Sequence, residues 1–107
     1  MKTTFSYEQA SALIPEVKRL TDAAVAELEA FAQQSGDEGE TDETSEEYQR
    51  IINAWAESIN DLGVEVKGLW LVDFDSGSGY YCWKHPEPSL QFFHGYEEGF
   101  GGRVPLT

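Results

Sequence analysis

The chain has 107 residues, 20 of them acidic and 7 basic, with a formal charge of -13. It is long enough for one domain with a modest core, and so acidic a surface excludes general binding to DNA, RNA or an anionic membrane, whose phosphates need lysine and arginine. A hydrophobic fraction of 40% with 14 aromatic residues excludes a solvated, unfolded chain, and a lone cysteine, Cys82, excludes an intrachain disulfide framework or an all-cysteine zinc site.

The first residues lack the apolar stretch of a signal peptide. The longest plainly apolar runs, 23–26 and 69–72, are four residues, so the expectation is a soluble cytoplasmic protein. Residues 1–62 hold 5 of the 14 aromatics and 2 of the 10 glycines. The first part therefore reads as helices, and the rest as short strands with glycine-rich turns.

In residues 1–34, Ala10, Leu13, Val17, Leu20, Ala24, Leu28 and Phe31 recur in steps of three and four, one stripe along a helix. Ser6 and Gln9 form a capping box at its start. Pro15 predicts a kink or a short break after Ile14, because proline has no amide hydrogen to donate. Residues 35–44 contain no hydrophobic side chain and read as an acidic, mobile linker. Their carboxylates do not follow the spacing of a calcium-binding loop.

A second helix is predicted over 45–62, with Thr44 and Glu47 as its capping box. Its stripe is Tyr48, Ile51 or Ile52, Trp55, Ile59 and Leu62, and Gly63 closes it. Two such helices joined by about ten residues most simply form an antiparallel hairpin. In residues 63–107 the candidate strands are 69–74, 80–84 and 90–94, with 64–66 as an edge strand or lead-in, and the turn Ser76-Gly77-Ser78-Gly79 joins the first two. The fold class is α+β: a helical hairpin, its first helix kinked at Pro15, packed on a three- to four-stranded antiparallel sheet.

Alternation puts Trp70, Val72 and Phe74 on one face of the first strand and Leu69, Leu71 and Asp73 on the other. Tyr81 and Trp83 oppose Tyr80, Cys82 and Lys84 in the second. One sheet face covers the helices. The other is either a large apolar patch for a partner, a second subunit or a ligand, or is covered by the C-terminal tail.

The order Gly63-Val64-Glu65-Val66-Lys67, Gly68, Leu71-Val72-Asp73-Phe74, Cys82-Trp83-Lys84, Glu87, Phe93-His94 and Gly99-Phe100-Gly101-Gly102-Arg103-Val104-Pro105-Leu106 resembles a bacterial domain-of-unknown-function family, number 2203. The segments Phe5-Ser6-Tyr7-Glu8-Gln9-Ala10 and Leu13-Ile14-Pro15-Glu16-Val17 are similar to that family too. The resemblance spans nearly the whole chain outside the acidic linker. It implies that Asp73, Trp83, Glu87, His94 and Arg103 are the family-type polar or aromatic positions and candidate ligand-binding residues. His85 departs from the pattern. No activity comes with the resemblance.

Three chemistries compete. A divalent metal such as zinc could use His94, Asp73 and Glu98, whereas Cys82-x2-His85 places its two ligands on opposite strand faces. Gly99-Phe100-Gly101-Gly102-Arg103 could cradle a small anion, against an internal pair of Arg103 with Asp73 or Glu98. His94 with Asp73 could be a base and its orienting carboxylate, yet no nucleophile elbow or nucleotide fingerprint accompanies them. The leading expectation is a non-enzymatic interaction module that homodimerises and needs no cofactor. The alternative is a small metal- or anion-binding protein, or an enzyme, with its site around Asp73, His94, Glu98 and Arg103.

Residues 37–47 carry seven acids and no base. More than half of the net charge therefore lies in one stretch, and a localised anion site at Arg103 is compatible with it.

Overall fold

The computed structural model describes residues 3–35 and 42–106, with side chains for 3–34 and 45–106. Helix α1 spans Tyr7–Ser35 and α2 spans Asp42–Asp61, followed by β1 (Glu65–Gly68), β2 (Leu71–Asp75), β3 (Tyr80–Lys84), β4 (Phe92–His94), a 3-10 turn (Phe100–Gly102) and β5 (Val104–Pro105). All neighbouring strands pair antiparallel in the order β1-β2-β3-β4-β5. The protein is thus α+β, as expected, with five strands where three or four were expected. Of the acidic linker expected over 35–44, Ser35 belongs to α1 and residues 42–44 to α2, and the mobility expected of 36–41 lies outside the described residues.

At the start of α1 the capping box is formed as expected: Gln9 N donates to Ser6 Oγ at 3.1 Å, and Ser6 N donates to Gln9 Oε1 at 2.9 Å. Of the kink or short break expected after Ile14, no break occurs, and α1 runs through Pro15 for 29 residues. Proline removes one ladder hydrogen bond, but Ile14 and Val17 on either side are buried and hold the helix against its partner. The helix accounts for the molecule's longest dimension, 46 Å, since 29 residues at 1.5 Å each span roughly 43 Å.

The two helices run in opposite directions. Thr21 meets Trp55, Glu27 meets Arg50 and Phe31 meets Tyr48. Their seam contains a polar link that the apolar stripe omits: Trp55 Nε1 donates to the buried Thr21 Oγ1 at 2.9 Å, and that hydroxyl donates to Val17 O at 2.7 Å. Helix α2 begins two residues before Thr44, and of Ile51 and Ile52 it is Ile51 that is buried in its stripe. Ile52 lies in an open apolar groove with Leu28, Ala32 and Tyr48. Gly63, at φ 86°, takes the left-handed conformation that closes α2.

The helices cover one sheet face, where Val72, Phe74 and Trp83 are fully buried against Val17, Trp55 and Ile59. Trp70 does not belong to that strand face. It sits at φ 59° in the tight β1–β2 connection and packs edge-on against Trp55, ring centroids 4.8 Å apart. The first strand therefore starts at Leu71 rather than at residue 69.

The Ser76–Gly79 turn forms where expected, with Asp75 opposite Tyr80. Gly79 also serves a second purpose. A Cβ there would lie 2.3 Å from Cζ of Phe93 and 2.8 Å from the carbonyl oxygen of His94. Gly79→Ala should therefore push β4 away from β3 and destabilise the fold by roughly 1–3 kcal/mol in urea unfolding. A loss below about 0.5 kcal/mol would show that the two strands give way easily.

The second sheet face is not an open apolar patch. The tail folds back as β5, with Phe92 opposite Pro105 and Phe93 opposite Val104, and Leu106 N donates to Gln91 O. Tyr96 stacks edge-on against Tyr80, and the Arg103 guanidinium lies on the Phe92 ring. Asp73, Asp75, Tyr80, Cys82 and His94 on this face are all buried. Among the described residues no helix is long and apolar enough to cross a membrane.

Candidate functional site

The antiparallel register assembles three ligand-type side chains. Asp73 on β2 lies directly opposite Cys82 on β3, so both project from the same face. His94 on β4 lies opposite Tyr80, two residues along β3 from Cys82, and therefore shares that face. One donor atom from each of Asp73, Cys82 and His94 can be chosen so that all lie within 4.8 Å of one another. All three residues are at least nine-tenths buried.

His94 is held at both nitrogens. Nδ1 is 2.8 Å from the Gly95 carbonyl oxygen, which only accepts, so Nδ1 carries a hydrogen. Nε2 stands 3.0 Å from Asp73 Oδ2, and one proton is shared across that contact. The other oxygen, Asp73 Oδ1, is buried and has no hydrogen-bond partner. A buried carboxylate oxygen without a donor is costly, by about 1–3 kcal/mol or more, and the hydrogen-bearing group beside this carboxylate is the Cys82 thiol.

Cys82 has no exposed surface. Burial, then the charge of the neighbouring Asp73 carboxylate and a hydrogen bond to it, push its thiol up to about 12, with Arg103 pulling the other way. A thiol so disposed is a poor free nucleophile. A cation placed among these groups would reverse that balance, because a coordinated thiol gives up its proton.

The other expected site residues separate. Arg103 Nη1 lies 2.8 Å and 3.1 Å from the two Glu87 carboxylate oxygens and 3.9 Å from Cys82 Sγ. Its guanidinium is sandwiched between the rings of Phe92 and Phe100, at 4.0 and 4.1 Å. The internal pair is thus with Glu87, not with Asp73 or Glu98. Nor do the glycines cradle an anion: Gly102 N donates to Gly99 O and Arg103 N to Phe100 O, within the 3-10 turn itself.

Glu87 also accepts from Lys84 N at 2.8 Å, so it organises the connection after β3 and holds the tail. Trp83 lies on the helix-facing side, fully buried, with Nε1 donating to Glu87 O. Glu98 accepts from Gly95 N at 3.0 Å and stands outside the ligand cluster. His85 turns to the helices, 3.4 Å from Asp22, away from Cys82.

A cleft of about 380 Å³ leads to the cluster from solvent. Asp73 and His94 line it together with Tyr80, Tyr96, Glu98 and Phe100. Tyr80 donates to Glu65 Oε1 at 3.2 Å, and Tyr96 donates to Asp75 Oδ1 at 2.6 Å.

Cys82 is the site residue that the sequence reading left out of its metal set. Its signal was present: residues 73 and 82 are equidistant from the centre of the Ser76–Gly79 turn, so a symmetric hairpin must pair them.

Neither a curated protein nor a solved structure matches the chain. The family pattern does match, over residues 3–106, and the chain belongs to DUF2203, a family described as an uncharacterized conserved protein.

Proposed function

We propose that this chain is a metal-binding protein whose site is formed by Asp73, Cys82 and His94 and takes a transition ion of the zinc class. The observation that carries this reading is the convergence of one oxygen, one sulfur and one nitrogen ligand, all buried on one sheet face. Zinc and cobalt accept this mixed set in tetrahedral geometry, whereas calcium and magnesium call for six or more oxygens. Ligand atoms around a tetrahedral zinc lie roughly 3.3–3.8 Å apart, a contraction of at most about an ångström from the separations here, all within 4.8 Å.

The His94 Nδ1 contact with the Gly95 carbonyl supports the reading, because it is the outer contact that orients a metal-binding imidazole and leaves Nε2 for the ion. The positive charge of Arg103 beside Cys82 is neutralised by Glu87. The homodimer expected from the sequence draws no support from the second sheet face, which the chain's own tail covers.

Titration of metal-stripped, reduced protein with cobalt(II) tests the proposal. One equivalent should produce a thiolate-to-cobalt band in the near ultraviolet together with the visible bands of a tetrahedral ion. Substitution Cys82→Ser should remove the ultraviolet band. The proposal is overturned by a protein that binds no stoichiometric cobalt or zinc, or binds it without the thiolate band.

A further inference from the structure

The geometry points to an exchangeable coordination position at this site, opening on the cleft and suited to a neutral nitrogen-donor ligand with a flat apolar body. This inference rests on the metal reading above and concerns what the bound ion would meet.

Asp73 and His94 line the cleft, while Cys82 lies behind them with no exposed surface. The ion would therefore be approached from the Asp73–His94 side. Among the described residues the cluster has three members and no fourth carboxylate, imidazole or thiol closes that side. Three protein ligands with one side open is the arrangement of a site that exchanges its fourth ligand, whereas structural zinc sites are closed by four.

The walls select the ligand. Tyr80, Tyr96, Leu71 and Phe100 supply aromatic and apolar surface, and Glu97 and Glu98 add negative charge. The cleft already holds an ammonium group against a ring: Lys67 Nζ lies 4.5 Å from the centroid of Tyr80 and 3.1 Å from Glu65 Oε1. Such surroundings favour a flat, neutral ring, and Glu97 and Glu98 repel a second carboxylate. A volume of about 380 Å³ admits a single ring or a small amine.

The experiment uses cobalt-loaded protein titrated in parallel with imidazole and with acetate, reading the visible cobalt bands. Imidazole should shift them saturably while the thiolate band persists, and acetate at the same concentration should leave them unchanged. Substitution Glu97→Lys, on the exposed rim, should make acetate effective by severalfold. Substitution Leu71→Trp should fill the cleft and abolish the imidazole response with cobalt still bound. Two results overturn the inference and leave the metal site standing: a persistent thiolate band with no response to imidazole, or acetate acting as strongly as imidazole. Failure to bind cobalt at all counts against the metal site itself.

Discussion

Substitution Asp73→Asn should lower cobalt or zinc affinity by roughly a hundredfold or more while changing the stability of the metal-free fold by no more than about 1 kcal/mol. The two readouts separate because Asp73 is a poor structural residue where it stands. One of its oxygens faces His94 Nε2 at 3.0 Å, and the other is buried with no hydrogen-bond partner. An amide keeps the shape and can meet His94 in either protonation state, since it offers both a donor and an acceptor. It also removes a buried charge.

As a metal ligand, however, the amide is far weaker than the carboxylate. Loss of outer-shell partners alone costs metal sites about 10–100-fold, so losing a direct anionic ligand should cost at least the upper end of that range. Isothermal titration with zinc and urea unfolding of the metal-free variant check the two halves. Severe destabilisation with unchanged metal affinity would mean that the carboxylate serves the fold and not an ion.

The second large effect is expected at Arg103. Substitution Arg103→Met should destabilise the protein by about 2–4 kcal/mol. The pair it makes with Glu87 is mostly buried, with side-chain exposures of 12% and 18%. Breaking a fully buried pair costs about 3–5 kcal/mol because it strands the remaining charge, and the residual exposure here reduces that figure. The arginine also fills the space between Phe92 and Phe100, which methionine refills only in part.

The double variant Glu87→Gln with Arg103→Met should recover part of the loss, since no charge is then left unpaired. Amide exchange should report where the damage lies: the Leu106 amide, which donates to Gln91 O, should lose protection before those of β2 and β3. A destabilisation below about 1 kcal/mol, or uniform loss of protection, would contradict Arg103 as the residue that pins the tail.

Much of this fold was legible because it depends on local rules. Ser6 and Gln9 satisfy the first amides of α1 wherever that helix ends up, and Gly63 closes α2 because it adopts positive φ freely. Thr21 was not legible, because only the antiparallel pairing of the two helices brings Trp55 Nε1 to its hydroxyl. The covering tail was expected as one alternative, but its 3-10 turn and β5 strand were not. A two-residue strand has no periodicity to detect, and it forms only where β4 offers an edge. Trp70 was misplaced because strand alternation was extended two residues too far, into a turn held by packing against Trp55.

The candidate site divides the same way. Asp73 and His94 stood out by residue type, and the hairpin turn already implied that Asp73 faces Cys82. Arg103 stood out as well, but the carboxylate that meets it comes from the β3–β4 connection, and no spacing rule couples residues 87 and 103.

The sequence by itself determined the start of α1, the end of α2, the hairpin turn, the α+β class and the strand faces of Asp73 and Cys82, because each follows from bonded neighbours within a few residues. Only the tertiary structure decided that three strands set Asp73, Cys82 and His94 within reach of one ion, and that Arg103 is claimed by Glu87. Register between strands and the path of the tail are properties of contacts far apart in the chain, chosen by the burial of Val72, Phe74 and Trp83 against the helices.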